Sequence, residues 1–316
     1  MSRGSSWARA ALVAASSILG VLLLEGIVRL SRAGEPRPTG YAPVATDFRA
    51  GRPRNARGYR DNERALSKAS GVRRLLVLGD SFSWGASVEF EDAWPQRLER
   101  GLARRRGEPW EVVTLALPGL ALNDYAAQLA AEGMEYAPDA IAIGYCLNDA
   151  ESKRAMKARE AGYVESDRRD PFLERSALYR FVAGRLRATA IARERVRYHR
   201  QLYDDKNPDW GEAKAALQSI GRLSRERGVP WLVVLFPLFG NPLDDSYPFF
   251  EAHRKVTLEA EKDGAKVLDL FPAYRGLRAD LLVVDGVRDE HPNEIAHRIA
   301  AGAALRALDE LLPPSR

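Results

Sequence analysis

A three-layer α/β/α sandwich is predicted by the way short apolar runs alternate with longer helical patterns along this chain. Five runs are leucine-rich or β-branched over four to six residues, and stretches with helical periodicity separate them. Such alternation is typical of a parallel sheet with helices on both faces. The chain has 316 residues, of which 46% are hydrophobic, so it can bury a large core. We therefore expect a flavodoxin-like, five-stranded parallel sheet.

The elements are expected in a regular order. The strands are predicted at Arg74–Leu78, Glu111–Leu115, Ala140–Gly144, Trp231–Phe236 and Lys266–Leu270. The helices are predicted at Asp92–Arg105, Asn123–Tyr136, Trp210–Arg227, Ser246–Lys262 and Asn293–Leu312. A charged, helix-prone segment at about 150–208 interrupts the alternation. We expect it to be an insertion, either a lid or substrate-binding subdomain or a helical hairpin that covers a sheet edge.

The first thirty residues predict a membrane helix. From Ala10 to Val28 the only ionisable residue is Glu25, and as a helix this run would rise about 28 Å, close to the thickness of a bilayer core. Arg3 and Arg9 precede it, which favours a cytoplasmic amino terminus and an extracytoplasmic (periplasmic or cell-surface) domain. A signal sequence cleaved near residues 33–34, with secretion of the domain, and a buried soluble helix are the alternatives. We expect an anchor at 1–32, a Pro- and Gly-rich linker at 33–57 and the main folded domain at 58–316.

Composition narrows the functional classes. Lys and Arg number 48 against 43 for Asp and Glu, and these charges are interspersed, so a nucleic-acid surface is not expected. The single cysteine, Cys146, excludes an internal disulfide. The chain has no zinc-type Cys/His spacing, phosphate-binding glycine loop or dinucleotide fingerprint, so neither a metal nor a cofactor is expected.

A serine lies in a turn of small residues directly after the first predicted strand. Gly79 and Gly85 flank this turn and permit backbone geometry that other residues resist, which leaves the Ser81 hydroxyl at the carboxyl end of a strand. Ligands bind at that edge of open α/β sheets. Ser81 is therefore a candidate nucleophile, although an ordinary Asp-Ser turn has the same pattern.

A serine hydroxyl becomes a good nucleophile when a base accepts its proton, and histidine suits that role at neutral pH. Of four histidines, His199 and His253 lie in charged helical stretches and His297 lies inside the last predicted helix. His291 instead lies in a proline-containing loop just before that helix, where functional side chains tend to be displayed. We expect His291 to be the base.

These residues stand in motif blocks that resemble, in order, those of the SGNH (GDSL-type) hydrolases, a family of serine esterases, lipases, deacetylases and some acyltransferases. The resemblance covers about residues 58–312. The four blocks are Gly79-Asp80-Ser81-Phe82, Leu117-Pro118-Gly119, Gly144-Tyr145-Cys146-Leu147-Asn148-Asp149 and His291-Pro292-Asn293.

The resemblance implies a role for one residue in each block. Ser81 would attack the acyl carbon and His291 would act as general base. The backbone N–H groups of Ser81 and Gly119 and the side-chain amide of Asn148 would donate to the oxyanion. Fixed donors of this kind stabilise the charge that acyl transfer builds on the carbonyl oxygen.

The orienting acid departs from the family pattern. The family usually has an aspartate three residues before the histidine, and that position here is Arg288. Asp289 is the expected acid and Asp285 is the alternative, because a carboxylate from either position could fix the imidazole tautomer. Asp80, Trp84 and Phe239 are candidate pocket residues; Trp84 could equally pack in the core or at an edge.

The sequence thus predicts a membrane-anchored serine hydrolase that cleaves carboxylic esters, with a small acyl ester or an acylated glycan as substrate. An O-acetyltransferase or deacetylase acting on cell-envelope polysaccharide is one alternative, since water and a sugar hydroxyl can both accept the acyl group. A catalytically inactive glycan-binding or assembly module is the other.

Overall fold

A computed structural model describes residues 3–31, 54–166, 170–285 and 289–312, with side chains described except at 3–6, 160–166 and 188. Most of the expected linker, the alternative cleavage site and Arg288 lie outside the described residues. The chain divides into two compact units: residues 1–42 with 161–195, and residues 43–160 with 196–316.

The larger unit contains the predicted parallel sheet. Its five strands are β1 (Arg73–Gly79), β2 (Trp110–Ala116), β3 (Ala140–Tyr145), β4 (Trp231–Leu235) and β5 (Lys266–Asp269). They are all parallel and lie in the order β2-β1-β3-β4-β5, the flavodoxin-like order. The prediction of an α/β fold with this sheet is confirmed. Every residue of β3 and β4 is buried, as expected for strands covered on both faces.

The helices follow the strands. They are α1 (Arg3–Leu30), α2 (Ser81–Trp84), α3 (Trp94–Arg106), α4 (Leu122–Ala131), α5 (Lys153–Ser166), α6 (Ala177–Leu202), α7 (Pro208–Arg227), α8 (Phe250–Lys262), α9 (Phe271–Tyr274) and α10 (Glu294–Leu311). Helices α3 and α10 pack together on one face of the sheet, while α4 and α8 pack against α7 on the other.

Two predicted helices are shorter than expected. Helix α4 ends at Ala131, and the chain continues as a 3-10 turn that is pressed onto β1, where a Cβ at Gly133 would lie 2.9 Å from the Leu76 side chain. The helix predicted from Ser246 begins only at Phe250, because the Ser246 backbone and hydroxyl both donate to Asp244 in a side-chain-capped turn.

The segment that carries His291 is a short strand and not the loop expected from its proline. Strand β7 (Asp289–Pro292) pairs antiparallel with β6 (Val283–Asp285). Pro292 lies at the last position of β7, a place where a residue without a backbone N–H is tolerated. Asn293 then caps α10 by accepting hydrogen bonds from the N–H groups of Ile295 and Ala296.

The smaller unit contains α1. Residues Trp7–Leu30 have a mean hydropathy of 2.2 over their most apolar window and form 24 residues of helix, which makes them a candidate membrane span by length and composition. A signal sequence has the same properties.

The imidazole of His297 is fully buried in α10, where its Nδ1 accepts a hydrogen bond of 3.2 Å from the Trp94 backbone N–H. Burial, together with the smaller effects of the nearby His291, Arg97 and Arg60, lowers the pKa of His297 to about 3. His297 is therefore a packed core histidine that folds in its neutral form.

This burial predicts a pH-dependent stability. Because the folded pKa lies below that of an unfolded histidine, the unfolded chain binds the extra proton first, and stability falls as the pH drops from about 6.5 towards 3. The free energy of unfolding falls by up to about 1.4 kcal/mol per pH unit because of this one group. His297→Gln should weaken the dependence of the thermal midpoint on pH across this window. An equally steep fall in the variant would show that other groups cause it.

Candidate active site

The candidate nucleophile lies at the amino end of a one-turn helix. Strand β1 ends at Gly79, and α2 begins at Ser81. The carboxylate of Asp80 caps this turn by accepting a hydrogen bond of 2.8 Å from the Phe82 N–H. Asp80 and Phe82 are buried, whereas Ser81 is partly exposed, so the turn displays the hydroxyl at the strand end.

Two glycines let this turn pack directly on the sheet. Gly79 and Gly144 are register partners on β1 and β3, and the Ser83 hydroxyl lies where their Cβ atoms would be, 2.1 Å from each. An alanine at either position would collide with Ser83. Gly85 ends the turn at φ +74°, in the left-handed region that favours glycine. The small residues of the motif thus fix how closely α2 approaches the strands.

The candidate base reaches the serine from the other end of the chain. The His291 Nε2 lies 2.8 Å from the Ser81 Oγ, and its Nδ1 lies 2.5 Å from the Asp289 Oδ1. The same Asp289 oxygen accepts a hydrogen bond of 3.0 Å from the His291 backbone N–H. The structure therefore brings Ser81, His291 and Asp289 together in one hydrogen-bonded chain. Asp285 is exposed on β6, in register opposite Asp289.

The environment of Asp289 favours its ionised form. Burial raises the pKa of this carboxyl, but hydrogen bonds from the His291 ring and backbone, attraction to that ring and a hydrogen bond from Ser87 outweigh burial. The pKa of Asp289 therefore lies below its usual value. An ionised carboxylate at Nδ1 stabilises an imidazolium when the ring takes up a proton.

Ser87 and Arg60 support this geometry, and the sequence analysis identified neither. Ser87 has φ +60°, a left-handed conformation that is uncommon outside glycine, and its hydroxyl donates to the Asp289 Oδ2 at 2.8 Å. The buried Arg60 guanidinium donates to the carbonyl oxygens of Trp84, Gly85 and Val88 at 2.6–3.2 Å. Together they hold the loop after α2 against the acid. The sequence does not show that Ser87 has a positive φ. Its position two residues after Gly85, close to the nucleophile turn, was the one signal of a role near the site.

The candidate oxyanion donors follow β2 and β3. Gly119 is exposed, has φ +77° and lies beside Met156 of α5, whose Cε is 4.0 Å from where a Cβ would be. Asn148 is partly exposed in a 3-10 turn (Leu147–Ala150) after β3. The Asn148 side chain is close enough to the Asp80 carboxyl to lower its pKa, so it lies next to the nucleophile turn.

Asp149 fixes the turn that carries Asn148. Its Oδ2 accepts a hydrogen bond of 2.9 Å from the Cys146 N–H, which closes the turn. Burial raises the pKa of Asp149 well above its usual value, and the neighbouring Asp80 raises it further. Burial likewise raises the pKa of Asp80, against the opposing effects of Phe82, His291 and Asn148 among its neighbours.

Of the candidate pocket residues, Trp84 and Phe239 are both buried, and Phe82 links Phe239 to the histidine ring. Trp84 packs with Ala86, Ala116 and Leu117, which is the packing role that the sequence left open. Phe239 stacks on Phe82 with 6.3 Å between the ring centroids, and Phe82 meets the His291 ring edge-on with 5.6 Å between the centroids.

The loop that carries Phe239 also borders a cavity. This cavity has a volume of about 490 Å³ and is formed by residues 239–244, 276–280 and Val283.

The parallel sheet and its flanking helices define a three-layer α/β/α sandwich with the flavodoxin-like strand order. The chain belongs to the GDSL-like Lipase/Acylhydrolase family, whose family model matches residues 77–299. It is therefore an enzyme that hydrolyses esters, and the resemblance to SGNH hydrolases is confirmed.

Several solved structures are similar to this chain at low identity. TesA is 19% identical, with 76% of this chain and 100% of TesA covered and a TM-score of 0.48. The acetylxylan esterase Axe2 from Geobacillus stearothermophilus is 16% identical, and the match covers 77% of this chain and 96% of Axe2 with a TM-score of 0.47. A two-domain esterase active on acetylated mannans is 11% identical, with 78% and 53% covered and a TM-score of 0.45. No curated protein sequence matches the chain.

The Ser87 hydrogen bond can be tested by kinetics. Ser87→Ala and Ser87→Gly should each lower kcat by about tenfold with little change in KM, since a hydrogen bond to a charged group contributes roughly 1.5–3 kcal/mol and tenfold corresponds to about 1.4 kcal/mol.

Ser246→Ala is the matched control, because its hydroxyl also donates to an aspartate but in an exposed loop. If only Ser87→Ala were impaired and Ser87→Gly were fully active, backbone conformation rather than the hydroxyl would be responsible.

Proposed function

We propose that this protein is a membrane-anchored serine esterase in which Ser81, His291 and Asp289 form the catalytic triad. Carboxylic esters of small acyl groups are the proposed substrates, with an acylated glycan as one form of the alcohol portion. The mechanism passes through an acyl-enzyme on Ser81.

The observation that carries this proposal is the unbroken chain of hydrogen bonds from the serine to the acid. A serine 2.8 Å from an imidazole nitrogen has its proton acceptor already in reach. The second ring nitrogen is held by Asp289, which fixes the tautomer with its lone pair towards Ser81. A protein that retained the fold only to bind glycans would have no need for this alignment.

In the proposed acylation, the Ser81 Oγ attacks the ester carbonyl carbon while its proton passes to the His291 Nε2. The carbonyl oxygen becomes an oxyanion, which accepts hydrogen bonds from the N–H groups of Ser81 and Gly119 and from the Asn148 amide. Collapse of this intermediate breaks the ester C–O bond, and the leaving alkoxide takes the proton from His291.

Deacylation repeats the steps with water in place of Ser81. His291 removes a proton from the water, whose oxygen attacks the acyl carbon, and Ser81 leaves with the proton that His291 returns. Transfer to a sugar hydroxyl would use the same machinery, and product analysis with and without a sugar acceptor distinguishes the two outcomes.

We infer that residues 1–32 anchor this enzyme, with residues 33–57 as linker and 58–316 as the hydrolase domain. The length and hydropathy of α1 support the anchor. Arg3 and Arg9, which precede the apolar run of α1, favour a cytoplasmic amino terminus, which would place the hydrolase domain on the outer side of the membrane.

Labelling with a fluorophosphonate tests for the activated serine. The detergent-solubilised full chain should be labelled, and both Ser81→Ala and His291→Ala should abolish labelling and the hydrolysis of short p-nitrophenyl esters. Ser83→Ala, two residues away in the same turn, is the control and should still be labelled. A well-folded wild-type protein that resists the reagent would refute the proposed nucleophile.

A pair of aspartate variants tests the acid. Asp289→Asn should lower kcat by roughly three to four orders of magnitude, because an amide at Nδ1 favours the wrong tautomer. Asp285→Asn should remain close to wild type, since this carboxylate is exposed and lies opposite the acid on the hairpin. The reverse pattern in stopped or continuous assays would reassign the acid to Asp285.

A further inference from the structure

The only acidic residue of the apolar helix α1 is bound to the start of another helix. Glu25 accepts hydrogen bonds from the Ser176 hydroxyl at 2.8 Å and from the backbone N–H groups of Ala177 and Leu178 at 2.9 and 2.8 Å. Ser176 in turn accepts from the Tyr179 N–H at 3.1 Å. The first N–H groups of a helix have no intrahelical partners. Here those of Ala177 and Leu178 are bound by Glu25 of α1, and that of Tyr179 is bound by Ser176.

Arg29 adds a second connection in the same place. It pairs with Glu25 at 2.7 Å, one turn further along α1, and donates to the Arg175 carbonyl oxygen at 3.0 Å. Glu25 retains only 19% of its side-chain exposure. An ionisable residue within an apolar span is costly unless it has such partners, so this network accounts for the presence of Glu25.

The network fixes where α6 begins relative to the membrane. Glu25 lies five residues before the end of α1, or about 7.5 Å along its axis, so it is near the boundary of the hydrocarbon core when α1 spans. The first turn of α6 is hydrogen-bonded to that point. The residues immediately around this turn are therefore at headgroup depth.

Residues just before this turn and along the first half of α6 expose large apolar side chains. Phe172 and Leu173 precede the turn and are 74% and 42% exposed, and Val182 and Leu186, four residues apart on α6, are 46% and 67% exposed. Side chains four apart lie on the same side of a helix, so Val182 and Leu186 form one strip. Exposing large apolar side chains to water costs free energy, and a group of them is typical of a surface that contacts a membrane or another protein.

The charged residues nearby have the composition of a membrane-surface segment. Residues 170–195 contain six arginines and three acidic residues. Arginine suits the headgroup layer because its apolar stem packs against acyl chains while the guanidinium reaches phosphates. One example is Arg185, whose guanidinium lies over the Phe181 ring at 4.5 Å.

We propose that residues 172–186 form a second membrane contact, which inserts Phe172, Leu173, Val182 and Leu186 into the headgroup layer of the bilayer that α1 spans. Glu25 holds this segment, here called the interfacial segment, at that depth. The inference rests on the proposed anchor. Its consequence for the enzyme is a contact with lipid that extends beyond a single helix and involves the start of α6.

Depth-dependent fluorescence quenching tests the interfacial segment in the full chain. Phe172→Cys and Leu186→Cys are labelled with an environment-sensitive fluorophore and reconstituted into vesicles of phosphatidylglycerol and phosphatidylethanolamine that carry a shallow nitroxide lipid. Wild type is the labelling blank, because its only cysteine is buried. Leu258→Cys, on an exposed position of α8 with 51% exposure, is the matched control. Several-fold stronger quenching at 172 and 186 than at 258 is expected.

A second label separates this proposal from that of the anchor. Leu19→Cys, in the middle of α1, should be quenched by a deep nitroxide lipid. Quenching at 19 together with water-like emission at 172 and 186 would overturn the interfacial segment and leave the anchor intact. Failure at 19 would overturn both. A blue-shifted but unquenched label at 186 would mean that protein, such as a second copy of the chain, covers this surface, and would also overturn the proposal.

The role of Glu25 has its own variants. Glu25→Ala should reduce quenching at 172 several-fold and leave quenching at 19 unchanged, while Glu25→Gln, which keeps one acceptor oxygen, should retain part of it. Fluorophosphonate labelling of the same samples reports separately on the active site. Unchanged quenching at 172 in Glu25→Ala would show that Glu25 does not position the segment.

Discussion

The contact between Ser83 and two paired glycines limits how closely the turn that carries Ser81 approaches the sheet. Gly79 and Gly144 face each other on neighbouring strands, and the Ser83 hydroxyl occupies the space that any side chain there would need. Because a protein interior transmits small changes in packing, even one methyl group at this point would displace α2 and with it Ser81. The 2.8 Å contact between Ser81 and His291 therefore depends on α2 packing this closely against the sheet.

A second constraint joins two parts of the chain that are 200 residues apart. The β6–β7 hairpin brings Asp289 and His291 to the turn after β1, and Ser87 ties the two together through Asp289. The positive φ of Ser87 costs conformational energy that the surrounding contacts must offset, and the buried Arg60 supplies three of those contacts by binding the carbonyl oxygens of the same loop. Strain of this kind is commonly found where a side chain must be aimed at a functional group.

Much of the fold could be predicted from the sequence because its signals are local. All five strands of the main sheet were expected to within two residues, since a fully buried parallel strand is a continuous apolar run. The first three motif blocks could be placed at strand ends because each lies at the end of such an apolar run. Helix ends were less certain, because they depend on tertiary contacts such as the close approach of Gly133 to Leu76.

Features that depend on distant partners were missed. The β6–β7 hairpin is only three and four residues long on its two strands, too short to show a period. Ser87 and Arg60 look like ordinary polar residues until the loop after α2 is folded. Glu25 was visible as an interruption of the apolar run, but its partners at 176–178 lie about 150 residues away and could not be inferred.

The distribution of charge explains how a site so rich in carboxyl groups suits the formation of an oxyanion. An ionised Asp80 or Asp149 near the nucleophile turn would repel the negative charge that develops on the substrate. Burial raises the pKa of both carboxyls and so favours their neutral forms. Asp289 differs because its hydrogen bonds outweigh burial, and it lies on the far side of the imidazole from Ser81. The pKa shifts therefore favour negative charge at Asp289, beside the His291 ring, and oppose it at Asp80 and Asp149, so environment and not residue type separates these three aspartates.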